Sequence, residues 1–259
     1  MTASSDILYL VEDGVATLTL NRVHNANALS VEFAEQLRHV VDMAASDPQV
    51  NVLLLNANGK NFCAGAELTP AVLKVNIEDF LNDTCKPLLL ALAEMDKPVI
   101  SVVNGNAAGI GAAIALAADL CVMADDAQLY FAFSDISLVP DGGCSWQLVN
   151  QLGSKRAFAI IAEAQRLDAM TCLNLGLCNK VVPAAELHSR AQHWAGKLAN
   201  RAPLSLRLGK QALRAAQSNS LADSISVEAT LQRQCQLSED FREALTAFGE
   251  KRKPMFKGY

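Results

Sequence analysis

Three short stretches of this chain combine small residues with the predicted start of a helix or the end of a strand. The first, "NFCAGAEL" at 61–68, places Cys63, Ala64, Gly65 and Ala66 where an apolar segment ends. One interpretation is a tight turn, because small residues are common in turns. The other is that the uncovered backbone amides contact something other than protein.

The second stretch, "AAGIGAA" at 107–113, precedes a helical pattern. It lacks the third glycine of dinucleotide-binding loops and the Gly-Lys-Ser/Thr ending of phosphate loops, so it is a weak nucleotide motif. The free amides and the dipole of a helix N-terminus would still stabilise an oxygen that gains negative charge. If the amide of Ile110 faced an amide of the "CAGAE" segment, the two could form an oxyanion hole.

The third stretch, "LVPDGGCSW", contains Asp141 before two glycines, which taken by itself is typical of a turn. The four histidines of the chain show no spacing typical of a metal site or a catalytic triad. The seven cysteines include no C-x-x-C pair, so we expect neither a disulfide framework nor a metal site. Unpaired thiols indicate a reducing compartment.

Length and charge narrow the class of protein. A chain of 259 residues fits one large domain, or one domain with an appendage. The net charge is −5 with dispersed acids, so the basic surface expected of a nucleic-acid-binding protein is missing. The start "MTASSD" has no signal-peptide pattern, and no apolar run approaches the length of a membrane span. We therefore expect a soluble cytoplasmic protein with no membrane partner.

Hydrophobic periodicity predicts the elements that must position the three stretches. Alternating apolar residues around Asp13 and Gly14 predict a hairpin, and Ser30 is a candidate cap for the helix that follows. Short apolar runs such as "VNVLLLNANG" and "KPVISVVNG" predict buried strands that alternate with helices. The order indicates an α/β core with functional loops where strands lead into helices. From about residue 145 only "NKVVP" still resembles a strand, so a helical appendage is expected.

At this point the sequence resembles a known family. The segments "NRVHNANALS", "NGKNFCAGAEL", "VNGNAAGIGAAIALAADLCVMADDAQL" and "LVPDGGCSWQL" are similar, in order and spacing, to motifs of the enoyl-CoA hydratase/isomerase (crotonase) superfamily. The resemblance implies a crotonase-like spiral of repeated β-β-α turns over residues 1–195 and a C-terminal helical trimerisation region over 196–259. It also implies a homotrimer or a dimer of trimers.

The resemblance implies an activity as well. Members of the family hold the enolate of an acyl-CoA thioester between two backbone amides, which by motif position belong to Ala66 and Ile110. No separate cofactor is expected, because CoA is part of the substrate. Members that hydrate a double bond carry two glutamates, and the matching positions here are Ala113 and Phe133, neither of which can move a proton.

Asp141 matches a third acid position, where family members that shift a double bond place an Asp or Glu. We therefore expect an isomerase that converts 3-enoyl-CoA to 2-enoyl-CoA with a single acid–base group. Apolar neighbours would form the acyl pocket and raise the pKa of Asp141 towards neutrality. The substrate-binding residues expected from the family pattern are Arg22, Ala64, Leu68, Gly109, Phe133, Leu138, Trp146, Lys253 and Lys257.

Three alternatives stay open from the sequence. The "GGCSW" run is similar to isomerases that act on ring-derived substrates of phenylacetate breakdown. An enoyl-CoA hydratase is a second alternative, although two carboxylates are what water addition needs. A non-catalytic acyl-CoA binding protein is the third.

Overall fold

Pairs of strands followed by a helix repeat through the first part of the computed structural model, which describes residues 5–67 and 76–259. The elements of these repeats are β1 (Ile7–Glu12), β2 (Val15–Leu20), α1 (Val31–Ser46), β3 (Val52–Ala57), β4 (Asn61–Cys63), α2 (Ile77–Asp79), a π-helical turn (Phe80–Cys85), α3 (Lys86–Glu94), β5 (Val99–Val103), β6 (Asn106–Ala108), α4 (Ile110–Ala117), β7 (Leu120–Ala124), β8 (Gln128–Tyr130) and α5 (Cys144–Leu152). The order is the repeated β-β-α turn that the sequence predicted.

Mostly helices follow the repeats. They are α6 (Ser154–Ala162), β9 (Arg166–Asp168), α7 (Ala169–Leu175), β10 (Lys180–Val182), α8 (Leu187–Ala199), α9 (Pro203–Ala216), α10 (Leu221–Leu237) and α11 (Glu239–Glu250). The predicted strand near "NKVVP" is β10. The expectation of no other strand after residue 145 was wrong, because β9 pairs antiparallel with β8.

The strands form two sheets. A six-stranded sheet has the order β1-β2-β3-β5-β7-β10, and a four-stranded sheet has the order β4-β6-β8-β9. From β3 onward the first strand of each pair joins the large sheet and the second joins the small one, and this alternation makes the spiral. The inner strands β3, β5 and β7 of the large sheet are apolar runs that pair in parallel, and every residue of β5 is buried, as expected for parallel strands covered on both faces.

Local signals explain the first repeat. Asp13 and Gly14 both have positive φ, 49° and 76°, which fits a tight hairpin turn whose twist matches that of the flanking strands. The side chain of Ser30 accepts a hydrogen bond from the amide of Phe33 at 3.2 Å and so caps α1. Both predictions are confirmed.

The last helices differ in how they pack. Helix α8 lies against β3, β5 and β7, and the predicted division between residues 195 and 196 falls within it, so that division stays a prediction. Helix α10 buries none of its residues within this chain. In residues 5–67 and 76–259, no helix has both the length and the apolar character needed to cross a membrane.

Candidate active site

Two turns of the small sheet lie backbone against backbone, and glycine permits the approach. A Cβ on Gly65 would lie 2.9 Å from the Ala108 carbonyl oxygen, and a Cβ on Gly111 would overlap the Cys63 carbonyl. Gly65 also has a φ of +98°, which side-chain-bearing residues rarely adopt. The small residues of "CAGAE" and "AAGIGAA" therefore bring these two segments together.

Each turn presents a backbone amide with no acceptor among the described residues. Leu29 binds both sides of Ala66: its amide donates to the Gly65 carbonyl at 2.7 Å, and its carbonyl accepts from the Glu67 amide at 2.9 Å. Because successive amides of an extended segment point to opposite sides, the Ala66 amide is directed away from Leu29. In the other turn, Ile110 is the first residue of α4, so its amide has no partner within the helix.

Gly109 gives α4 its open first turn. Its φ of +51° lets the chain turn sharply from β6 into the helix, and its carbonyl accepts from the amides of Ala112 and Ala113 at 3.0 and 3.2 Å. Two unpaired donors on adjacent turns, one at a helix N-terminus, can stabilise a carbonyl oxygen that becomes an oxyanion.

Arg22 binds Glu67, the residue that follows Ala66. Its guanidinium donates to Glu67 at 3.2 Å and to the Ala28 carbonyl at 3.0 Å, and it lies 5.2 Å from the centre of the Phe33 ring. Only 14% of its side chain is exposed. The structure thus gives Arg22 a role in holding Glu67 and Ala28 in place, and the expected contact with CoA stays a prediction.

Asp141 begins a turn that packs on the first turn of α4. A Cβ on Gly142 would lie 2.7 Å from the Ala113 methyl group and 3.0 Å from Ile110 Cγ1. Cys144, the first residue of α5, donates its amide to the Asp141 carbonyl at 3.0 Å, and its thiol lies 3.9 Å from the Gly109 carbonyl. The third stretch of the sequence is therefore joined to the second.

The surroundings of Asp141 change its acidity. Burial raises the pKa of this carboxyl from its usual 3.8 to about 6. Its Oδ1 is shielded from solvent and has no hydrogen-bond partner in the part of the chain that the structure describes. The pKa values of the buried thiols Cys85 and Cys144 are raised as well, mainly by burial and to a smaller extent by the negative charge of Asp141. A carboxyl whose pKa is near neutrality can both take up and release a proton.

The two positions at which hydrating relatives carry glutamates are apolar here and lie at the site. Ala113 is completely buried against the Gly142 turn. Phe133 is 3% exposed, and its ring would contact a Cβ on Gly109 at 3.9 Å. Neither side chain can donate or accept a proton, so neither residue can take part in proton transfer.

A cavity of about 680 Å³ extends from the Asp141 turn between α3, α4, α5 and α9. Its lining includes Gly142, Gly143 and Trp146, so the expected pocket residue Trp146 is brought to it. It also includes Leu81, Cys85 and Leu89, which the sequence analysis missed, although their spacing of four residues placed them on one helical face. Gln147 and Arg214 were missed as well, because a polar residue on an amphipathic helix is ordinarily assigned to solvent.

The other expected binding residues are not part of the cavity lining. Phe133 packs beside Gly109, and Leu138 lies nearly half exposed in the following loop, its amide donating to the Phe133 carbonyl. Ala64 is exposed and donates its amide to the Ala26 carbonyl at 3.0 Å. Leu68 falls outside the described residues.

Lys253 and Lys257 are exposed on the C-terminal tail. The buried carboxylate of Asp240 holds this tail by accepting from the amides of Lys257 and Gly258 at 2.6 and 2.9 Å. A fixed tail with outward ammonium groups can contact phosphates as point charges. Among residues 5–67 and 76–259, no three His, Cys, Asp or Glu side chains are grouped as a metal site would need.

Known proteins resemble this chain along almost its whole length. The sequence profile of the enoyl-CoA hydratase/isomerase family matches residues 11–259. The chain is 38% identical over 261 residues to 1,2-epoxyphenylacetyl-CoA isomerase of Escherichia coli K12, covering 97% of this chain and 98% of that protein. It is 34% identical over 253 residues to a protein described as an enoyl-CoA hydratase in Rhodobacter capsulatus, covering 97% and 98%.

The fold comparison gives the same result. The structure resembles that of an enoyl-CoA hydratase from Bacillus anthracis with a TM-score of 0.93 and 29% sequence identity, over 98% of this chain and 100% of that one. The predicted crotonase-like fold is thereby confirmed. The chain belongs to the enoyl-CoA hydratase/isomerase family, whose members act on acyl-CoA thioesters.

Proposed function

We propose that this chain is an acyl-CoA double-bond isomerase that converts 3-enoyl-CoA to 2-enoyl-CoA. One observation carries the proposal: a partly buried carboxyl lies on the turn that packs against Ile110 and Ala113, while the family resemblance assigns the two hydratase glutamates to Ala113 and Phe133, which cannot move a proton. Water addition needs one group to activate water and another to protonate carbon, whereas a double-bond shift needs only one.

The proposed reaction consists of two proton transfers. The thioester oxygen accepts hydrogen bonds from the amides of Ala66 and Ile110, which lowers the energy of the enolate. The carboxylate of Asp141 removes a proton from C2, and the electron pair delocalises over the dienolate. The same group then returns the proton to C4, so the double bond moves from C3–C4 to C2–C3 and no other reactant is consumed.

Absorbance measurements test this proposal. The purified protein is mixed with 3-enoyl-CoA in one cell and with 2-enoyl-CoA in another, and the absorbance of the conjugated thioester is followed. We expect it to rise in the first cell and to fall little in the second. A fall in the second cell as fast as the rise in the first would identify a hydratase, and no change in either would identify a binding protein.

A second candidate is isomerisation of a ring-derived acyl-CoA. It is favoured by the 38% identity to the Escherichia coli protein named 1,2-epoxyphenylacetyl-CoA isomerase. Both candidates use the same oxyanion hole and the same carboxyl, and they differ in the acyl group that fills the cavity.

Assembly and location belong to the same proposal. Large apolar side chains of α10 and α11 are exposed in the single chain, among them Leu221 at 79% and Phe248 at 86%. Such a surface is suited to burial between subunits, which supports a homotrimer or a dimer of trimers. The seven free thiols fit the reducing conditions of the cytoplasm.

A further inference from the structure

The lining of the cavity beside Asp141 is chemically mixed. The π-helical turn, α3 and α4 contribute Leu81, Leu89 and Leu116, together with the charged Lys86 and Glu94. Helices α5 and α9 contribute Gln147, Gln151 and Arg214, and Gln217 follows α9 directly; we call these four the polar wall. A cavity that takes only an alkyl chain gains nothing from such a polar wall, because an apolar ligand leaves buried polar groups unpaired.

Gln147 is a half-buried member of the polar wall. It lies in the first turns of α5, and its backbone amide donates to the Gly143 carbonyl at 3.0 Å. Its side-chain Oε1 is shielded from solvent and has no hydrogen-bond partner in the described ranges. A shielded amide oxygen without a hydrogen-bond partner lowers the stability of the folded protein. Such a group in a native structure therefore usually has a functional explanation or an additional binding partner.

Gln147 lies about one helical turn from the turn that carries Asp141. Gly143 adjoins the Asp141 turn, and four residues of helix advance the chain by about 6 Å. The shielded Oε1 faces protein, but the terminal torsion of a glutamine is broad, so rotation of the amide can turn either its oxygen or its NH₂ group towards the cavity. A group on the acyl chain a few bonds beyond the carbons next to Asp141 is within its reach.

We infer that Gln147 is a specificity-determining residue that hydrogen-bonds an oxygen function on the acyl group, so that the preferred substrates carry a hydroxyl, keto or ether oxygen beyond the reacting carbons. The inference rests on the proposed function, because it assigns the cavity to the acyl group of the thioester. An amide suits a neutral oxygen, since it can donate to it or accept from it without a net charge.

Saturated thioesters test the inference without any turnover. The acyl chains of 6-hydroxyhexanoyl-CoA and heptanoyl-CoA are equally long, but the first ends in a hydroxyl and the second in a methyl group. A second pair, 8-hydroxyoctanoyl-CoA and nonanoyl-CoA, places the same two groups further from the thioester. Titration calorimetry gives the four affinities for the wild type and for Gln147→Met, which keeps the size of the side chain and removes the amide. Asn150→Leu is the control, because Asn150 is exposed on the same helix outside the cavity lining.

We expect Gln147→Met to weaken binding of at least one hydroxy ester by about tenfold or more relative to its alkyl partner, with no such change in Asn150→Leu. The inference would be overturned if the ratio of hydroxy-ester affinity to alkyl-ester affinity were the same in the wild type and in Gln147→Met. It would also be overturned if the wild type bound neither of the two hydroxy esters. Thermal unfolding, and Gln147→Leu as a second variant, separate a folding defect from a change of preference. If the hydroxy esters bind as expected but no enoyl-CoA is isomerised, the proposed function fails while the assignment of Gln147 stands.

Discussion

The Cα of Gly142 packs against the methyl group of Ala113, so closely that a Cβ on Gly142 would lie 2.7 Å from that methyl. This contact joins the turn that carries Asp141 to the helix that begins at Ile110. It also explains why position 113 is small: a glutamate there, as in hydrating relatives, would displace the Asp141 turn. The packing that positions the Asp141 carboxyl therefore leaves no room for a carboxyl-bearing side chain at position 113.

The Gly142 contact predicts different outcomes for two neighbouring glycines. Both Gly142 and Gly143 have positive φ, 58° and 79°, so alanine at either position is strained to a similar degree, by about 1 kcal/mol. Only at position 142 would the new methyl group also clash, because nothing lies within 4 Å of a Cβ on Gly143. We expect Gly142→Ala to lose isomerase activity by about tenfold or more and Gly143→Ala to retain most of it. Similar rates for the two variants would contradict this account.

Asp141→Asn should abolish most of the chemistry. The amide keeps the shape of the side chain and cannot accept a proton at neutral pH, so the rate should fall by about 10² to 10⁴-fold. Acyl-CoA affinity should stay within a few-fold, since the amides of Ala66 and Ile110 are unchanged. Rate and affinity are measured on one preparation, and near-normal turnover would eliminate Asp141 as the base.

The same variant should be more stable than the wild type at neutral pH. The folded-state pKa of Asp141 is raised from 3.8 to about 6, so between these values the folded protein binds more protons than the unfolded chain, and its stability falls as pH rises. Above about pH 6 the carboxylate is charged in the folded protein, and the full cost of burying that charge applies. Asn carries no charge, so the variant should be more stable than the wild type by about 1–3 kcal/mol.

Urea unfolding at pH 5 and pH 8 measures this effect. The difference in the free energy of unfolding between Asp141→Asn and the wild type should be larger at pH 8 than at pH 5. Asp126→Asn is the control, because Asp126 is exposed. A difference that is the same at both pH values would show that Asp141 is not desolvated in the folded protein.

Gly65→Ala should damage the oxyanion hole. The methyl group would press on the Ala108 carbonyl from 2.9 Å and move the Ala66 amide away from that of Ile110. We expect a fall in kcat of up to about 10²-fold to 10³-fold, the range seen when one oxyanion donor is lost. Gly176→Ala is the matched control, with a φ of 75° and nothing within 4 Å of its Cβ. Equal kcat values for the two variants would refute the assignment of the Ala66 amide.

Binding of free CoA should depend on salt through the C-terminal tail. If Lys253 and Lys257 contact the nucleotide phosphates, raising the ionic strength should weaken binding, and the double variant Lys253→Ala, Lys257→Ala should flatten that dependence. Lys155→Ala removes an exposed charge elsewhere and should leave it unchanged. Calorimetric titrations at low and high salt are the measurement, and a salt-independent affinity in the wild type would rule out these contacts.

Local chemistry in the sequence determined much of the fold. The Asp13–Gly14 turn, the Ser30 cap and the apolar strands depend on neighbours in the chain, so they could be predicted without tertiary information. Strand β9 could not, because its three residues, Arg166–Asp168, carry no apolar run and extend only by pairing with β8.

The candidate site divides in the same way. The residue types of Ala66, Ile110 and Asp141 and the order of their motifs were visible in the sequence, and so was the absence of acids at 113 and 133. A lone turn aspartate has no special acidity until other parts of the chain bury it. Burial is what raises the pKa of Asp141, and Cys85, 56 residues earlier in the chain, is close enough for the Asp141 charge to raise the pKa of its thiol. The cavity, with Gln147 in its wall, exists only because α3, α4, α5 and α9 meet, and a contact between distant segments leaves no periodic signal in any one of them.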